Sequence, residues 1–440
     1  MTAAGHLRRI VAVAGLAFRE AVRSRAALSS ALATAAAIFA IRRATGGAGE
    51  EAAHNFTFYA LAAAEAILYT SALLASAASI SGEAKSRTLS LSRVKPVPMA
   101  EFLAGRWLGL TAVFALILAL ALALVRVLAP AGAGGVAYRR VAPSLPPVAE
   151  MAERLVAEAR GNGVADEVAL RKIRREALAQ LPFATVPIPP GDALHFRFAP
   201  TRPIDGAREM LLEVAFCSDS YSSRPLSAAC VISAPGEDAA VRLVVSNVTS
   251  RLVTLPFDPA PFAGATELKL DVAHGGAEGD MPVLLQPRQS LALLAPAFDV
   301  SANYAVAFAQ LLPVVALLLA LGLALGSLFS LPVSTFCAAG LALSVFAAGF
   351  SSSDPDSLEL DEDAPLTALQ RATGVASVAV VKSLDFAAAS VMRPAPAALL
   401  SDRIAIPGGD VAHSIACNGV LMPLALLLAA GAILDRREMP

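Results

Sequence analysis

The chain has 440 residues, of which 56% are hydrophobic and 16% charged, and its formal net charge at pH 7 is −1. This composition is too apolar for an ordinary soluble domain, and the near-neutral charge indicates neither nucleic-acid binding nor a strongly acidic partner. Because 440 residues exceed what a few membrane helices require, we expect a membrane-spanning part and a water-facing part.

The first apolar stretch, Ile10 to Phe18, is too short for a membrane span and is followed by Arg19 and Glu20 rather than by a convincing signal-peptide cleavage site. We expect an amphipathic helix that lies in the cytoplasmic membrane interface. Its arginines would face lipid phosphates, and its other face, which includes Leu16, Ala17 and Ala21, would face lipid.

Six apolar stretches predict transmembrane helices, because about 20 apolar residues cross the hydrocarbon core of a bilayer. The clearest signal is the segment from Val300 to Ser353, which contains no charged residue and is long enough for two spans that turn near Pro332. The six spans are predicted at residues 26–41, 56–80, 107–125, 304–327, 331–350 and 411–434.

Three clusters of basic residues orient these spans by the positive-inside rule. An even number of spans puts all three clusters in the cytoplasm, together with both termini and the loop 81–106. The chain then divides into 1–128 with three spans, an extracytoplasmic domain at 129–299, and 300–440 with three spans and an outer loop at 351–410. The clusters are Arg8, Arg9, Arg19, Arg23 and Arg25; Lys85, Arg87, Arg93, Lys95 and Arg106; and Arg436 and Arg437.

The extracytoplasmic domain is predicted to have a helical and a β-rich part. Charges recur at spacings of three and four through residues 147–181, as on a solvated helical arm. Between residues 190 and 295, short β-rich runs alternate with Gly, Pro, Asp and Ser, which predicts an antiparallel β-sandwich or jelly roll. Cys217 and Cys230 lie in this part, where an oxidising compartment would permit a disulfide; two reduced core cysteines are the alternative.

The sequence lacks the usual catalytic signatures. HExxH, GxSxG and the phosphate-binding GxxxxGK[ST] do not occur, and the five histidines have no metal-binding spacing. We therefore expect neither an enzyme nor a cofactor. Glu65 is the one carboxylate within a predicted span, and it is a functional candidate because burying a carboxylate in a membrane is costly. A structural ion pair with Arg42 or Arg43 is the alternative.

The segment 81–106 resembles the cytoplasmic loop after the second span of ABC transporter permeases of the type 2 exporter class. That loop typically contains Glu, then Gly-Thr, a Pro and a later Gly-Lys. The charged residues near both chain ends, and a large domain between spans three and four, are also similar to members of this class. In the loop, Glu83, Thr88, Pro96 and Gly105 match the pattern, while Arg87 and Arg106 replace the usual Gly and Lys.

The resemblance implies a permease subunit of an ATP-driven exporter in the bacterial cytoplasmic (inner) membrane. Such a subunit dimerises with a second copy or a homologous permease and couples to a separate ABC ATPase. The alternative function is a membrane-anchored extracytoplasmic binding or assembly protein that acts through its β-sandwich domain. The residues implied to couple to the ATPase are Glu83, Lys85, Arg87, Thr88, Lys95 and Pro96.

Overall fold

The structure is a computed structural model that describes residues 3–85, 98–130, 135–146, 148–163, 167–206, 208–217, 227–235, 239–246, 252–274, 283–330, 332–340 and 396–436. The chain divides into two compact units, Met1–Val136 with Phe298–Pro440, and Ala137–Ala297. We call them the helical unit and the β unit.

The described helices are numbered in chain order, and all except α5 and α6 belong to the helical unit. A π-helical segment, Ser414–Leu421, joins the last two into one continuous helix, called here the last helix. The helices are α1 (Ala3–Arg23), α2 (Arg25–Ala44), α3 (Glu50–Lys85), α4 (Met99–Leu128), α5 (Val148–Gly161), α6 (Glu167–Gln180), α7 (Val300–Leu328), α8 (332–340), α9 (Pro396–Ser401), α10 (Gly408–His413) and α11 (Met422–Arg436).

Five helices are long and apolar enough to cross a bilayer: α2, α3 over Glu50–Ser81, α4, α7 and the last helix over Gly408–Asp435. They coincide with five of the predicted spans and indicate a multi-pass membrane protein. The other prediction, 331–350, overlaps α8 at its start and otherwise lies outside the described residues, so a total of six spans stays a prediction.

Helix α7 and the last helix run in the same direction. Near the start of α7, the Asn303 side-chain amide donates a hydrogen bond to the Ile404 carbonyl oxygen at 2.8 Å, shortly before α10 begins. Further along both helices, Pro313 lies beside Gly419, where an added Cβ would be 3.4 Å from Pro313 Cβ. Residue numbers therefore rise together along the two helices.

Helices α3 and α7 also run in the same direction and approach each other closely. A side-chain hydrogen bond joins Tyr304 to Thr57, and further on Gly322 packs against Ser76. At Gly326, one turn later, an added Cβ would be 3.0 Å from the Ala77 Cα. Glycines spaced by four residues allow helix backbones to approach in lipid, where van der Waals packing drives association.

Helix α1 packs along the first part of α4 through a second Gly-x-x-x-Gly motif. A Cβ added at Gly105 would lie 2.6 Å from Val13 Cβ, and one added at Gly109 would lie 2.5 Å from the Ala14 carbonyl oxygen. Neither glycine can carry a side chain without moving α1 away from α4.

This packing corrects the expected lipid face of α1. Ala17 and Ala21 are buried within the protein, whereas Leu16 is 66% exposed. The prediction that both alanines face lipid is wrong, because their small side chains face the interior of the helical unit; Ala17 lies against Gly109. The placement of α1 in the cytoplasmic interface stays a prediction.

The end of the predicted outer loop 351–410 is packed structure, while residues 351–395 lie outside the described residues. Asn303 is fully buried, and its side-chain oxygen accepts from the Ile406 amide at 3.1 Å while its nitrogen donates to Ile404. Arg403 forms an ion pair with Glu50 at the start of α3. Residues 396–407 are therefore held against α3 and α7.

Asp299 caps the start of α7. Its side-chain oxygen accepts a hydrogen bond from the Ser301 amide at 2.6 Å, which satisfies one of the amides that a helix leaves free at its N-terminus. This hydrogen bond is the main cause that holds the pKa of Asp299 below its usual value. The charge-free segment thus begins directly after a capping carboxylate.

The β unit and its boundary contain antiparallel sheets. Their orders are β1-β11-β4-β8, β3-β9-β6-β7 and a smaller β2-β10-β5, and pairs such as β3 with β9 are antiparallel. The strands are β1 (Val136–Val141), β2 (Val186–Ile188), β3 (Ala193–Phe198), β4 (Met210–Val214), β5 (Phe216–Cys217), β6 (Ser227–Ser233), β7 (Ala240–Ser246), β8 (Val253–Phe257), β9 (Leu268–His274), β10 (Val283–Leu285) and β11 (Leu291–Asp299).

One hydrophobic core is shared by strands of all three sheets. In β9, Leu268, Leu270 and Val272 are buried while Lys269 is exposed, which confirms the period-two alternation read from the sequence. The antiparallel, β-rich prediction is confirmed at this level, and the jelly-roll topology stays a prediction. The predicted helical arm is present as α5 and α6, which are joined by the ion pair of Arg174 with Glu153.

The predicted disulfide between Cys217 and Cys230 is not formed, because the Cys230 thiol is free and completely buried in the core. Cys230 lies on β6, which pairs with β7 and β9, whereas Cys217 lies on β5, which pairs with β10 in another sheet. Burial raises the pKa of the Cys230 thiol to about 12, because an apolar environment disfavours the thiolate. Cys230 is therefore an unreactive core residue.

Candidate functional site

The residues implied to couple to an ATPase lie at one end of the helical unit. Helix α3 ends at Lys85 and α4 begins at Met99, so the predicted coupling loop leaves and re-enters between these two helix ends. Glu83 and Lys85 belong to the final residues of α3. The others, Arg87, Thr88, Lys95 and Pro96, lie outside the described residues.

Glu101, in the first turn of α4, binds two basic side chains of α1. Its two carboxylate oxygens accept hydrogen bonds from Arg9, at 2.7 Å from Nε and 3.1 Å from Nη2. The ring nitrogen Nδ1 of His6 contacts the same carboxylate. A bidentate guanidinium–carboxylate pair fixes direction as well as distance, so Glu101 holds the start of α1 against the start of α4.

Arg106, one turn further along α4, joins α4 to both α1 and α3. Its guanidinium donates to the Glu20 carboxylate of α1 at 2.9 Å and to the Ser79 carbonyl oxygen of α3 at 3.0 Å. It also lies over the Phe102 ring, 5.5 Å from the ring centroid. The Arg106 side chain is only 5% exposed, so these contacts replace most of the water that an arginine normally keeps.

We call His6, Arg9, Glu20, Ser79, Glu101 and Arg106 the helix-end cluster. It connects α1, α3 and α4 beside the place where the segment 86–97 leaves the described structure. The last helix ends at the same level, since a Cβ added at Gly431 would be 3.0 Å from the Ala100 Cα. Polar contacts of this kind resist separation of the three helices, so a force applied to one of them is passed to the others.

Sequence reasoning did not find this cluster, although it quoted Glu101 and Arg106 as parts of the loop resemblance. The missed signal was Gly105 and Gly109 spaced by four residues directly after Glu101, which marks a face of α4 that another helix can approach. The sequence did not indicate that α1 would be the helix on that face.

Glu65 lies in the middle of α3, fifteen residues after Glu50 and sixteen before Ser81. Its Oε1 oxygen is enclosed and has no hydrogen-bond partner among the described residues. The alternative pairing with Arg42 is not formed: the Arg42 guanidinium lies over the Phe56 ring, 5.9 Å from its centroid. Phe56 and Glu65 are nine residues apart, about 13 Å along a helix, which is beyond the reach of an arginine side chain.

Both α7 and the last helix depart from regular geometry halfway along the helical unit. Pro313 lies inside α7, and proline removes a backbone donor and bends a helix. The facing part of the last helix is the π-helical segment Ser414–Leu421, and such segments occur frequently at functional sites. The Ser414 hydroxyl donates to the Gln310 carbonyl oxygen at 2.9 Å, which places a buried polar contact at this level.

An apolar groove opens at the same level between α4, α7 and the last helix. Its volume is about 360 Å³. The Trp107 ring nitrogen donates to the Ala316 carbonyl oxygen at 2.7 Å, so the indole is fixed as one wall. The lining residues carry no charge and are Trp107, Thr111, Phe308, Ala309, Leu312, Pro313, Ala316, Ile415 and Gly419.

The part of the chain that the structure describes contains no group of three or more His, Cys, Asp or Glu residues that could hold a metal ion. Comparison of the sequence and structure with protein-family models, with curated proteins and with solved structures finds no match.

Proposed function

We propose that this protein is the membrane-spanning permease subunit of an ATP-driven ABC exporter. It would work as a dimer with a second copy or a homologous permease, and a separate ATPase subunit would supply the energy. Both termini and the loop 81–106 would lie in the cytoplasm, and residues 129–299 would lie outside the bacterial cytoplasmic membrane.

The parallel directions of α7 and the last helix support six spans. The chain leaves α7 at Leu328 and must return to the level of Asn303 before it reaches Ile404. That distance is twenty-five residues of α7, about 37 Å at 1.5 Å per residue, which exceeds the hydrocarbon thickness of a bilayer. A return of this length requires another crossing, and the predicted span at 331–350 is suited to it.

The helix-end cluster is the observation that carries the proposal. An ATPase that binds the loop 81–106 would push on the ends of α3 and α4, and Arg106 contacts both α3 and α1. Arg9 and Glu101 add a second connection one turn away. Closure of the ATPase could then move α1, α3 and α4 together, rather than bending the loop alone.

Copurification tests the proposal. The parent protein is isolated from its native membranes in mild detergent, and an ATPase with a phosphate-binding loop is expected to accompany it. Replacing both Glu83 and Arg87 by Ala is expected to reduce the amount of ATPase bound by about tenfold, since hydrogen bonds to charged groups are each worth about 1.5–3 kcal/mol.

A second variant separates transmission from binding. Glu101→Gln removes the charge that holds Arg9 but leaves the loop sequence intact, so the ATPase should still bind while its stimulation by the permease falls. Lys269→Ala is the control, because Lys269 is exposed on β9 and should alter neither property. If no ATPase accompanies the parent protein, the membrane-anchored binding or assembly function replaces the transporter.

A further inference from the structure

Two buried acceptor oxygens in the middle of the helical unit have no donor among the described residues. They are Oε1 of Glu65 and Oε1 of Gln310. Gln310 is 5% exposed, and its backbone carbonyl, but not this side-chain oxygen, receives the Ser414 hydroxyl. Buried polar groups normally have partners, so two orphaned acceptors indicate that a ligand supplies the donors.

The two oxygens belong to residues at the same depth. Thr57 is bonded to Tyr304, and counting eight residues onward along both parallel helices sets Glu65 level with Leu312. Ser76 lies against Gly322, and counting eleven residues back along both helices sets Glu65 level with Leu311. Two independent contacts thus place Glu65 within two residues of the level of Gln310, or about 3 Å along the helix axis.

The ligand that these oxygens would accept must be a cation with N–H donors. A carboxylate in a membrane interior needs a compensating charge, which water does not provide. Metal ions such as Ca²⁺ require six to eight oxygen ligands, and two side-chain oxygens fall well short of that number. A primary ammonium group offers both a positive charge and three donors.

We propose that Glu65, with Gln310 at the same level, binds the ammonium group of an amphiphilic amine in the middle of the membrane. The groove between α4, α7 and the last helix lies at this depth, and its uncharged lining suits the apolar part of such a molecule. Identifying the amine as transported cargo rests on the proposed function, whereas its binding does not.

Binding is measured with the purified protein in lipid nanodiscs without any ATPase. The probe is dansylcadaverine, which carries a primary ammonium, and its N-acetylated form is the neutral probe with the same fluorophore. The parent protein is expected to bind the ammonium probe at least about tenfold more tightly than the neutral one. Glu65→Gln should abolish this preference, and Gln310→Met should reduce it. Glu51→Gln, an exposed carboxylate on the same helix, should leave it unchanged.

Thermal stability distinguishes a ligand site from a structural ion pair. If Glu65 has no internal cation, Glu65→Gln removes an uncompensated charge and should raise the midpoint of thermal unfolding without ligand. A lower midpoint would mean that Glu65 has a basic partner within the chain, and the proposal would be wrong. Equal affinity of the parent protein for both probes, or an unchanged preference in Glu65→Gln, would also overturn it.

The outcome is separable from that of the proposed function. An ammonium preference that depends on Glu65, in a protein that copurifies with no ATPase, supports the site and contradicts the transporter. A protein that binds and stimulates its ATPase but shows no ammonium preference contradicts the site alone.

Discussion

Replacing Gly109 by Ala tests how tightly α1 packs on α4. The new Cβ would lie 2.5 Å from the Ala14 carbonyl oxygen and 2.7 Å from the Ala17 Cβ, whereas ordinary contact begins at 3.4 Å. Because the nearest atom belongs to the α1 backbone, the helices must separate by about 0.9 Å. Overpacking of this kind costs about 1–3 kcal/mol, and the better helix propensity of Ala returns about 1 kcal/mol.

The net destabilisation of the α1–α4 contact should be about 1–2 kcal/mol, which corresponds to about 5- to 30-fold more frequent opening of α1. Hydrogen exchange of α1 peptides, measured by mass spectrometry on the protein in nanodiscs, reports this opening. Exchange in the β unit should stay unchanged, since that unit has its own core.

Gly15→Ala is the matched control, because it makes the same chemical change within α1 and nothing lies within 4 Å of its added Cβ. It should slow exchange in α1, since Ala favours the helix by up to about 1 kcal/mol relative to Gly. If both variants change the exchange of α1 in the same direction, the Gly105–Gly109 face is not where α1 packs.

Three further measurements test other parts of the structure. Asp299→Ala should destabilise the protein by about 1 kcal/mol at pH 7. Because hydrogen bonding lowers the folded-state pKa of Asp299, its contribution is present above the unfolded pKa of about 3.9 and is lost as pH falls through the lower folded pKa; a difference in unfolding temperature that persists in strong acid would contradict this assignment. Cys230 should resist alkylation until the protein unfolds, and a peptide that links it to Cys217 in a non-reduced digest would show the free-thiol assignment to be wrong. In intact cells, a membrane-impermeant maleimide should label Ala277→Cys but not Ser92→Cys, and the opposite pattern would invert the topology.

Local hydrophobicity determined most of the architecture from the sequence. A membrane span is recognised by the length of its apolar run, so five predicted spans coincide with helices in the structure. A half-buried strand is recognised by its period-two alternation, and the run that became β9 alternates as predicted. Both signals lie within one element and need no knowledge of its neighbours.

The contacts between elements were decided only by the tertiary structure. Whether Ala17 faces lipid or protein depends on which helix lies beside α1, and an apolar pattern reads the same in both environments. The expected pairing of Arg42 with Glu65 failed because the two lie at different depths. The expected disulfide of Cys230 failed because its strand and that of Cys217 pair in different sheets. Depth, facing and pairing are relations between distant parts of the chain, so they appear only once the helices and strands have packed.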